Sequence, residues 1–238
     1  MPLIRLPDGA FERAGKYRKV YDGDLSSGTK PSWLTERAGS GSFSYAAATA
    51  GVPGKATFTL TGNPPGTTPG GWDGPPVDLS NERVRALWWT MDDVGFVRSD
   101  SGVYFSAEMA IRSIGAATAG AGLLTNFGPP NYPIMRCFAG GSAVGSDEVR
   151  FPWGARVFEA ATTPMRLGDN PRPMTLHIDN RDKTVSLLMG DQVAYSRQLP
   201  ALVRGVVQPT LNMGKTGSAT SDRVMTVEGA FRFTVEYD

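Results

Sequence analysis

The sequence predicts an all-β domain built of two packed antiparallel sheets, preceded by an extended N-terminal arm. Three observations predict it. Gly and Pro number 29 and 18, so 47 of 238 residues favour turns, about 20% where average usage gives roughly 12%. Short runs with period-two alternation recur between those turn residues, about a dozen in all. No segment sustains a 3.6-residue apolar period. Five Trp, eleven Phe and seven Tyr supply a core large enough for one domain of 238 residues.

Residues 1–16 read as the arm, with Pro2, Pro7, Gly9 and Gly15 breaking it and Leu3, Ile4, Leu6 and Phe11 as isolated apolar positions. Those four are the candidate assembly contacts, because an arm of this kind gains order by packing on something else. Residues 17–238 form the sandwich domain. Ser42–Thr49 and Lys55–Thr61 flank Gly51-Val52-Pro53-Gly54, a hairpin-type connection. In the second run Ala56, Phe58 and Leu60 share one face and three Thr the other. Gly62–Pro76 carries five Gly and five Pro in 15 residues and is expected to be an exposed loop.

Val84–Met91 and Val103–Ser113 are the next strands, and a small-residue linker follows over Gly115–Gly122. Leu123–Phe127 and Ile134–Phe138 are shorter candidates. Adjacent Trp88 and Trp89 should point to opposite sides of their strand. Met174–Asp179, Thr184–Met189 and Gln192–Ser196 make a three-strand meander, its second turn being the two-residue Gly190-Asp191. Gln208–Met213 and Val224–Tyr237 close the chain, the latter alternating Phe231, Phe233, Val235 and Tyr237 against Arg232, Thr234 and Glu236. Only Asn81–Val84 and Ala201–Arg204 look helical, and both are short.

Charge excludes some functions. Lys and Arg total 24 against 23 Asp and Glu, with no basic run to bind nucleic acid. Arg outnumbers Lys 18 to 6, a bias that a GC-rich coding sequence produces without any binding role. No apolar stretch of about 20 residues is present to insert in a membrane, and the N-terminus lacks the apolar region of a signal peptide. The expectation is a soluble product made in the cytoplasm. One Cys forms no internal disulfide.

Several motifs dissolve on inspection. Gly214-Lys215-Thr216 ends like a phosphate-binding loop, but Pro209 stands where the first Gly is required, and the segment is β-like. His177 is the only histidine, which excludes a site with two His ligands. It shares a strand face with Thr175 and Asp179, as a half-exposed surface histidine does. Cys137 reads as an inert buried thiol. A retaining glycosidase needs two carboxylates about 5–5.5 Å apart. Glu108, Asp92-Asp93 and Asp147-Glu148 supply no such pair on one strand face. The Asp179-Asn180-Arg181-Asp182 turn is oxygen-rich, yet Asn and Asp are also what hairpin turns prefer, and the ligand count falls short of a calcium site. No catalytic residue, metal site or cofactor is predicted.

Aromatic residues in loops remain. Trp72 beside Asp73, Tyr132 beside Asn131, and Trp153 are the candidate carbohydrate contacts: a sugar ring stacks on an exposed aromatic while Asp or Asn binds its hydroxyls. Each ring has a competing reading, in which it pins its loop to the sandwich or sits in a subunit contact.

The stretch DGDLSSGTKPSWLTERAGSGSFSY, with Trp33 inside it and KATFTLTG after it, resembles the opening of concanavalin A-like lectin/glucanase domains. MTLHIDNRDKTVSLLMGDQVAYSRQLP resembles the late meander of the same family, and Gln208–Met213 with the final strand also fits. The resemblance covers roughly residues 20–238 and implies a jelly-roll sandwich. It does not bring activity with it, since the glucanase acid cluster is missing. Lectin-like domains that are Arg-rich and carry an N-terminal arm but no signal peptide further resemble minor tail proteins of tailed phages infecting high-GC actinobacteria. That resemblance implies a non-enzymatic virion structural protein, oligomeric among other tail proteins, with host-surface glycan as a further partner and the tail as its location. A free carbohydrate-binding module, a capsid decoration protein and a glycan hydrolase with an unrecognised site are the alternatives.

Overall fold

The structure is a computed structural model and describes residues 3–5, 11–13, 17–37, 39, 41–60, 70–98, 105–113, 131–139, 148–150, 173–199, 205–215 and 222–238. Every regular element among them is a β-strand. Within residues 1–16, β1 (Leu3–Arg5) and β2 (Phe11–Arg13) pair antiparallel as a ribbon of their own. The domain proper follows as β3 (Tyr17–Asp24), β4 (Thr35–Arg37), β5 (Gly41–Ala46), β6 (Lys55–Leu60), β7 (Gly70–Asp73), β8 (Val77–Asp78) and β9 (Val84–Arg98). It continues with β10 (Phe105–Ser113), β11 (Asn131–Ala139), β12 (Glu148–Arg150), β13 (Met174–Asp179), β14 (Thr184–Met189), β15 (Gln192–Gln198), β16 (Val206–Lys215) and β17 (Arg223–Tyr237). None of these is long, apolar and helical in the way a membrane-crossing helix must be.

Two antiparallel sheets carry the fold. The seven-stranded sheet runs β12-β11-β10-β16-β7-β4, with β8 also paired to β16. The eight-stranded sheet runs β15-β14-β13-β9-β17-β6-β5, with β3 also paired to β17. The predicted all-β, two-sheet jelly-roll architecture is therefore the observed one. The sheets meet through large apolar side chains: Trp72 from the first lies 5.4 Å from Phe231 and 5.5 Å from Phe43 of the second, between ring centroids. Trp89, Phe58, Phe233, Leu87 and Met225 fill the same layer, all buried. Burying side chains of this size stabilises by about 1.5–3 kcal/mol each relative to leaving them in water.

Strand β17 is the spine of the larger sheet. Its first half pairs with β6 and its second half with β3, while β9 runs along the other side throughout. The change of neighbour occurs at a register shift between Glu228 and Phe231. Gly229 sits there with φ of 89°, a conformation that an L side chain rarely adopts, and a Cβ would come within 2.9 Å of the Asp92 carboxylate. Its carbonyl accepts from the Leu25 amide and its amide donates to the Gly54 carbonyl, so the kink is fixed from both neighbours.

Most predicted strands are present with small changes of length. The meander is β13-β14-β15, and Met189 faces Gln192 across Gly190-Asp191. In β6 Ala56, Phe58 and Leu60 are buried and the intervening Thr half-buried. Trp89 is buried while Trp88 is half-buried, as adjacent strand residues require.

Three expectations need correction. The exposed loop predicted over Gly62–Pro76 contains β7, all of it buried. Strand β9 does not stop at Met91: Asp92 pairs with Arg232 across the sheet, and the strand runs on to Arg98. Asn81–Val84 is a tight turn rather than a helical piece, closed by the Val84 amide on the Asn81 carbonyl at 2.9 Å. Gly115–Gly122, Leu123–Phe127 and Ala201–Arg204 lie outside the described residues.

Candidate functional site

Strand β16 shows the two characters of the seven-stranded sheet in one sequence. Val207, Leu211 and Met213 are buried against the eight-stranded sheet, as alternation demands. Gln208, Thr210 and Asn212 alternate with them on the other face, and they are buried too. A polar side chain out of water costs free energy unless it is hydrogen-bonded. Here the partners come from three strands.

The Arg37 guanidinium, at the end of β4, grips the Asp73 carboxylate of β7 with both branches: Nε donates to Oδ2 at 3.1 Å and Nη2 to Oδ1 at 2.9 Å. Nη2 also donates to the Asn212 carbonyl oxygen Oδ1. The Asn212 amide in turn donates to Thr210 Oγ1 at 2.5 Å, and Gln208 Nε2 donates to the Gly74 carbonyl at 2.9 Å. Asp73 and Asn212 are each 2% exposed, whereas the Arg37 side chain keeps 26% of its surface. Arg37 is thus the solvent-reaching edge of a buried network.

Glycine makes this reach possible. Register places Arg37 opposite Gly71 and Gly71 opposite Asn212. With φ of 153°, a Cβ at Gly71 would fall 1.9 Å from the Leu211 carbonyl oxygen. Without it, the guanidinium crosses a whole strand to meet Asn212. On the opposite, core-facing side of the same strands, Trp72 Nε1 donates to Tyr45 Oη at 3.1 Å, and Tyr45 donates to Glu36 Oε1 at 2.7 Å. Burial and the Glu36 carboxylate together push the Tyr45 pKa up. This relay ties β4 and β7 to β5 of the other sheet and holds the floor of the polar network in place.

The register extends the polar positions across the sheet. Asn212 is opposite Glu108 of β10, Glu108 opposite Arg136 of β11, and Arg136 opposite Arg150 of β12. One transverse row therefore reads Arg150, Arg136, Glu108, Asn212, Gly71, Arg37. Two rows further along the same face, beyond Thr210 opposite Ala110, Gln208 is opposite Arg112, and Arg112 opposite Asn131.

The residues singled out from sequence fall in different places. Trp72 and Asp73 are not loop residues. Trp72 is fully buried between the sheets with its indole N–H satisfied, so it offers no ring to stack on a sugar, and Asp73 is spent on Arg37. Its candidacy as an exposed carbohydrate contact is corrected by that burial. Asn131 and Tyr132 belong to β11 rather than to a loop. Asn131 lies in register with Arg112, and Tyr132 with Ile111, which is opposite Pro209. Trp153 lies outside the described residues. Of the arm positions, Leu3 and Ile4 are in β1 and Phe11 in β2, with Leu3 opposite Arg13, Ile4 opposite Glu12 and Phe11 opposite Arg5. Leu6 lies outside the described residues.

Arg37, Thr210, Asn212 and Gln208 were missed. A signal for the last three exists, since Val207-Gln-Pro-Thr-Leu-Asn-Met213 alternates apolar residues with uncharged hydrogen-bonding ones.

The remaining motifs have structural roles. Asp179 Oδ1 accepts the amides of Arg181 and Asp182 at 2.9 and 3.0 Å, and Asn180 Nδ2 donates to the Leu79 and Val84 carbonyls. The turn's oxygen-rich side chains thus serve the turn itself. Among the described residues, no three His, Cys, Asp or Glu are placed to hold a metal ion. His177 stacks on Trp88, ring centroids 4.8 Å apart.

No protein family matches the sequence, and no curated protein does either. Solved structures do. The chain superposes on a sialidase with a TM-score of 0.54 at 8% identity, covering 90% of this chain and 18% of that one. It superposes on basic winged bean lectin with Tn-antigen with a TM-score of 0.52 at 10% identity, covering 94% of this chain and 99% of the lectin. For a lectin UEA-II complexed with galactose the TM-score is 0.51 at 12% identity, covering 92% and 98%. The chain spans under a fifth of the sialidase's length but nearly the whole of the lectins. At such identities the likeness concerns architecture: this chain has the lectin-type jelly-roll sandwich.

Proposed function

We propose that the chain is a non-enzymatic, glycan-binding structural subunit of a virion, a minor tail protein at the tail tip. In this reading the outer face of the seven-stranded sheet holds host-surface saccharide, and residues 1–16 join the subunit to neighbouring tail proteins. It is made in the host cytoplasm and functions in the particle.

The Arg37–Asp73–Asn212–Thr210 network carries the binding part. Its guanidinium, Arg37, is the group that reaches solvent and can donate to sugar hydroxyls, while the buried Asp73, Asn212 and Thr210 side chains hold it in place. The network lies on the face away from the core, so the interior gains nothing from its polarity. The full-length likeness to lectins supports the same reading. Asp73 is committed to an ion pair with Arg37, which supports binding over acid–base chemistry. The tail assignment rests on the sequence resemblance. The separate ribbon β1-β2 supports the assembly role of residues 1–16, because a lone two-stranded ribbon is marginal in water.

Incubating the purified chain with host cell-wall polysaccharide tests binding and catalysis together. The expected result is retention of the polysaccharide with no new reducing ends. Release of reducing ends would make the chain a hydrolase, and absence of retention would remove the glycan role. For the tail role, a chain lacking residues 1–16 should fold and bind polysaccharide yet fail to enter particles. Normal incorporation of that truncated chain would sink the assembly claim.

A further inference from the structure

We infer that Tyr45, on the eight-stranded sheet, is a positioning residue for the saccharide site on the outer face of the other sheet, acting through Glu36 on Arg37; this rests on the reading of that face as the glycan site. Arg37 has five N–H donors, and three are committed: Nε and one N–H of Nη2 to Asp73, the other N–H of Nη2 to Asn212. The two that remain are both on Nη1, and the side chain keeps 26% of its surface exposed. Arg37 therefore offers a sugar oxygen one nitrogen with a fixed pair of N–H directions. Hydrogen bonds weaken steeply once the donor angle falls toward about 120°, so affinity depends on how firmly the strand carrying Arg37 is held. That strand, β4, has three residues and ends its sheet, paired only to β7 among the described residues.

Two side-chain anchors hold β4, one on each face. The outer one is Asp73 with Asn212, and both draw on the same guanidinium as the ligand. The inner one is Glu36, next to Arg37 in the chain, whose Oε1 accepts from the Tyr45 hydroxyl at 2.7 Å. The direction of this relay is forced. The Trp72 indole can only donate, so the Tyr45 oxygen accepts from it at 3.1 Å, and the phenol hydrogen is left for Glu36. Burial, and then the Glu36 carboxylate, raise the Tyr45 pKa above its ordinary value, so the relay keeps its proton. Glu36 is opposite Trp72, and Trp72 is next to Asp73. The contacts thus close a ring that runs Trp72, Tyr45, Glu36, Arg37, Asp73 and back to Trp72. Tyr45 is its single member on the eight-stranded sheet. Removing the hydroxyl alone opens that ring, while the aromatic side chain still packs against the core and Asp73 and Asn212 stay in place.

Interferometry of the full chain on immobilised cell-wall polysaccharide from a high-GC actinobacterium, with nitrogen relaxation at Arg37 Nε, tests this. Tyr45→Phe should weaken binding at least about fivefold, the worth of one ordinary hydrogen bond, and make Arg37 Nε more mobile than in the unsubstituted chain. Glu36→Ala should do the same. Glu36→Gln, whose amide oxygen still accepts from Tyr45, should stay within about twofold in affinity and keep Arg37 Nε ordered. Thr175→Val, which removes the hydroxyl contact with Thr90 on the other sheet, should leave affinity unchanged whatever it costs in melting temperature. A smaller loss for Tyr45→Phe, or an Arg37 Nε as ordered as before, overturns the inference and leaves the glycan reading standing. A larger loss for Glu36→Gln overturns it as well, and so does Thr175→Val weakening binding as much as Tyr45→Phe. If the unsubstituted chain does not bind, the glycan reading fails and this role fails with it.

Discussion

The two sheets of the sandwich turn polar residues outward in opposite ways. On the eight-stranded sheet only Ser186 and Glu236 are buried among the described outward polar residues, and most outward pairs are half-exposed or exposed: Thr90 with Thr175, Trp88 against His177, and Arg232 with Asp22 and Asp92. Water shares their solvation, and each pair is worth little on its own. On the seven-stranded sheet Gln208, Thr210, Asn212 and Asp73 are all buried and held to one another or to backbone. Dehydrating an ion pair and two amides does not improve a fold that an apolar surface would serve as well. The contrast supports the proposed site: a polar network held in one arrangement is pre-organised, and pre-organisation lowers the entropy lost when a ligand is bound.

The comparison breaks most visibly at its ion pairs. Asp73→Ala leaves the Arg37 guanidinium without its carboxylate partner, and should destabilise by about 3 kcal/mol, the lower part of the usual range because Arg37 keeps contact with water. Denaturant unfolding measures it. Asn212→Ala comes next, at about 1–3 kcal/mol, since Arg37 loses a neutral acceptor but keeps Asp73. Arg232→Gln on the other sheet should cost under about 1 kcal/mol by the same measurement. Equal costs for Asp73→Ala and Arg232→Gln would erase the distinction between the faces.

The smallest expected effect sharpens the same contrast through pH. Burial pushes the His177 imidazole below its ordinary value of 6.5, opposed by Asp179 and Glu236. The unfolded chain therefore takes up the proton first as pH falls, and stability declines from about pH 7 downward until the folded form also protonates. His177 is the only histidine, so no other side chain ordinarily titrates between pH 5.5 and 7. Melting temperature should be lower at pH 5.5 than at 7.5, and His177→Gln should flatten that difference. A lower melting temperature at pH 7.5 would contradict the sign.

Legibility followed how local the cause was. The meander β13-β14-β15 was readable because alternation and two short turns fix it within 25 residues of chain. The long strand β17 was readable from Phe231, Phe233 and Val235. Strand β7 was not, because Gly70-Gly71 has no side chains to show a period and lies among prolines. Its strand state comes from neighbours on both sides, β4 and β16, distant in sequence. The charged edge strand β3 gave no amphipathic signal either, with only Gly23 buried. The site was least legible: Arg37 and Asn212 stand 175 residues apart, and no local pattern announces that they meet. Trp72 was picked out as an aromatic in a polar, turn-rich stretch, and that same aromatic character explains why the core claims it.

The most direct test maps bound saccharide onto the two sheets by amide chemical shifts. With a saturating oligosaccharide from host cell-wall polysaccharide, shifts are expected to concentrate at Gly71, Thr210 and Asn212, with the amides of β13 and β14 unmoved. Shifts confined to β13, β14 and β17, or none at saturation, would contradict it.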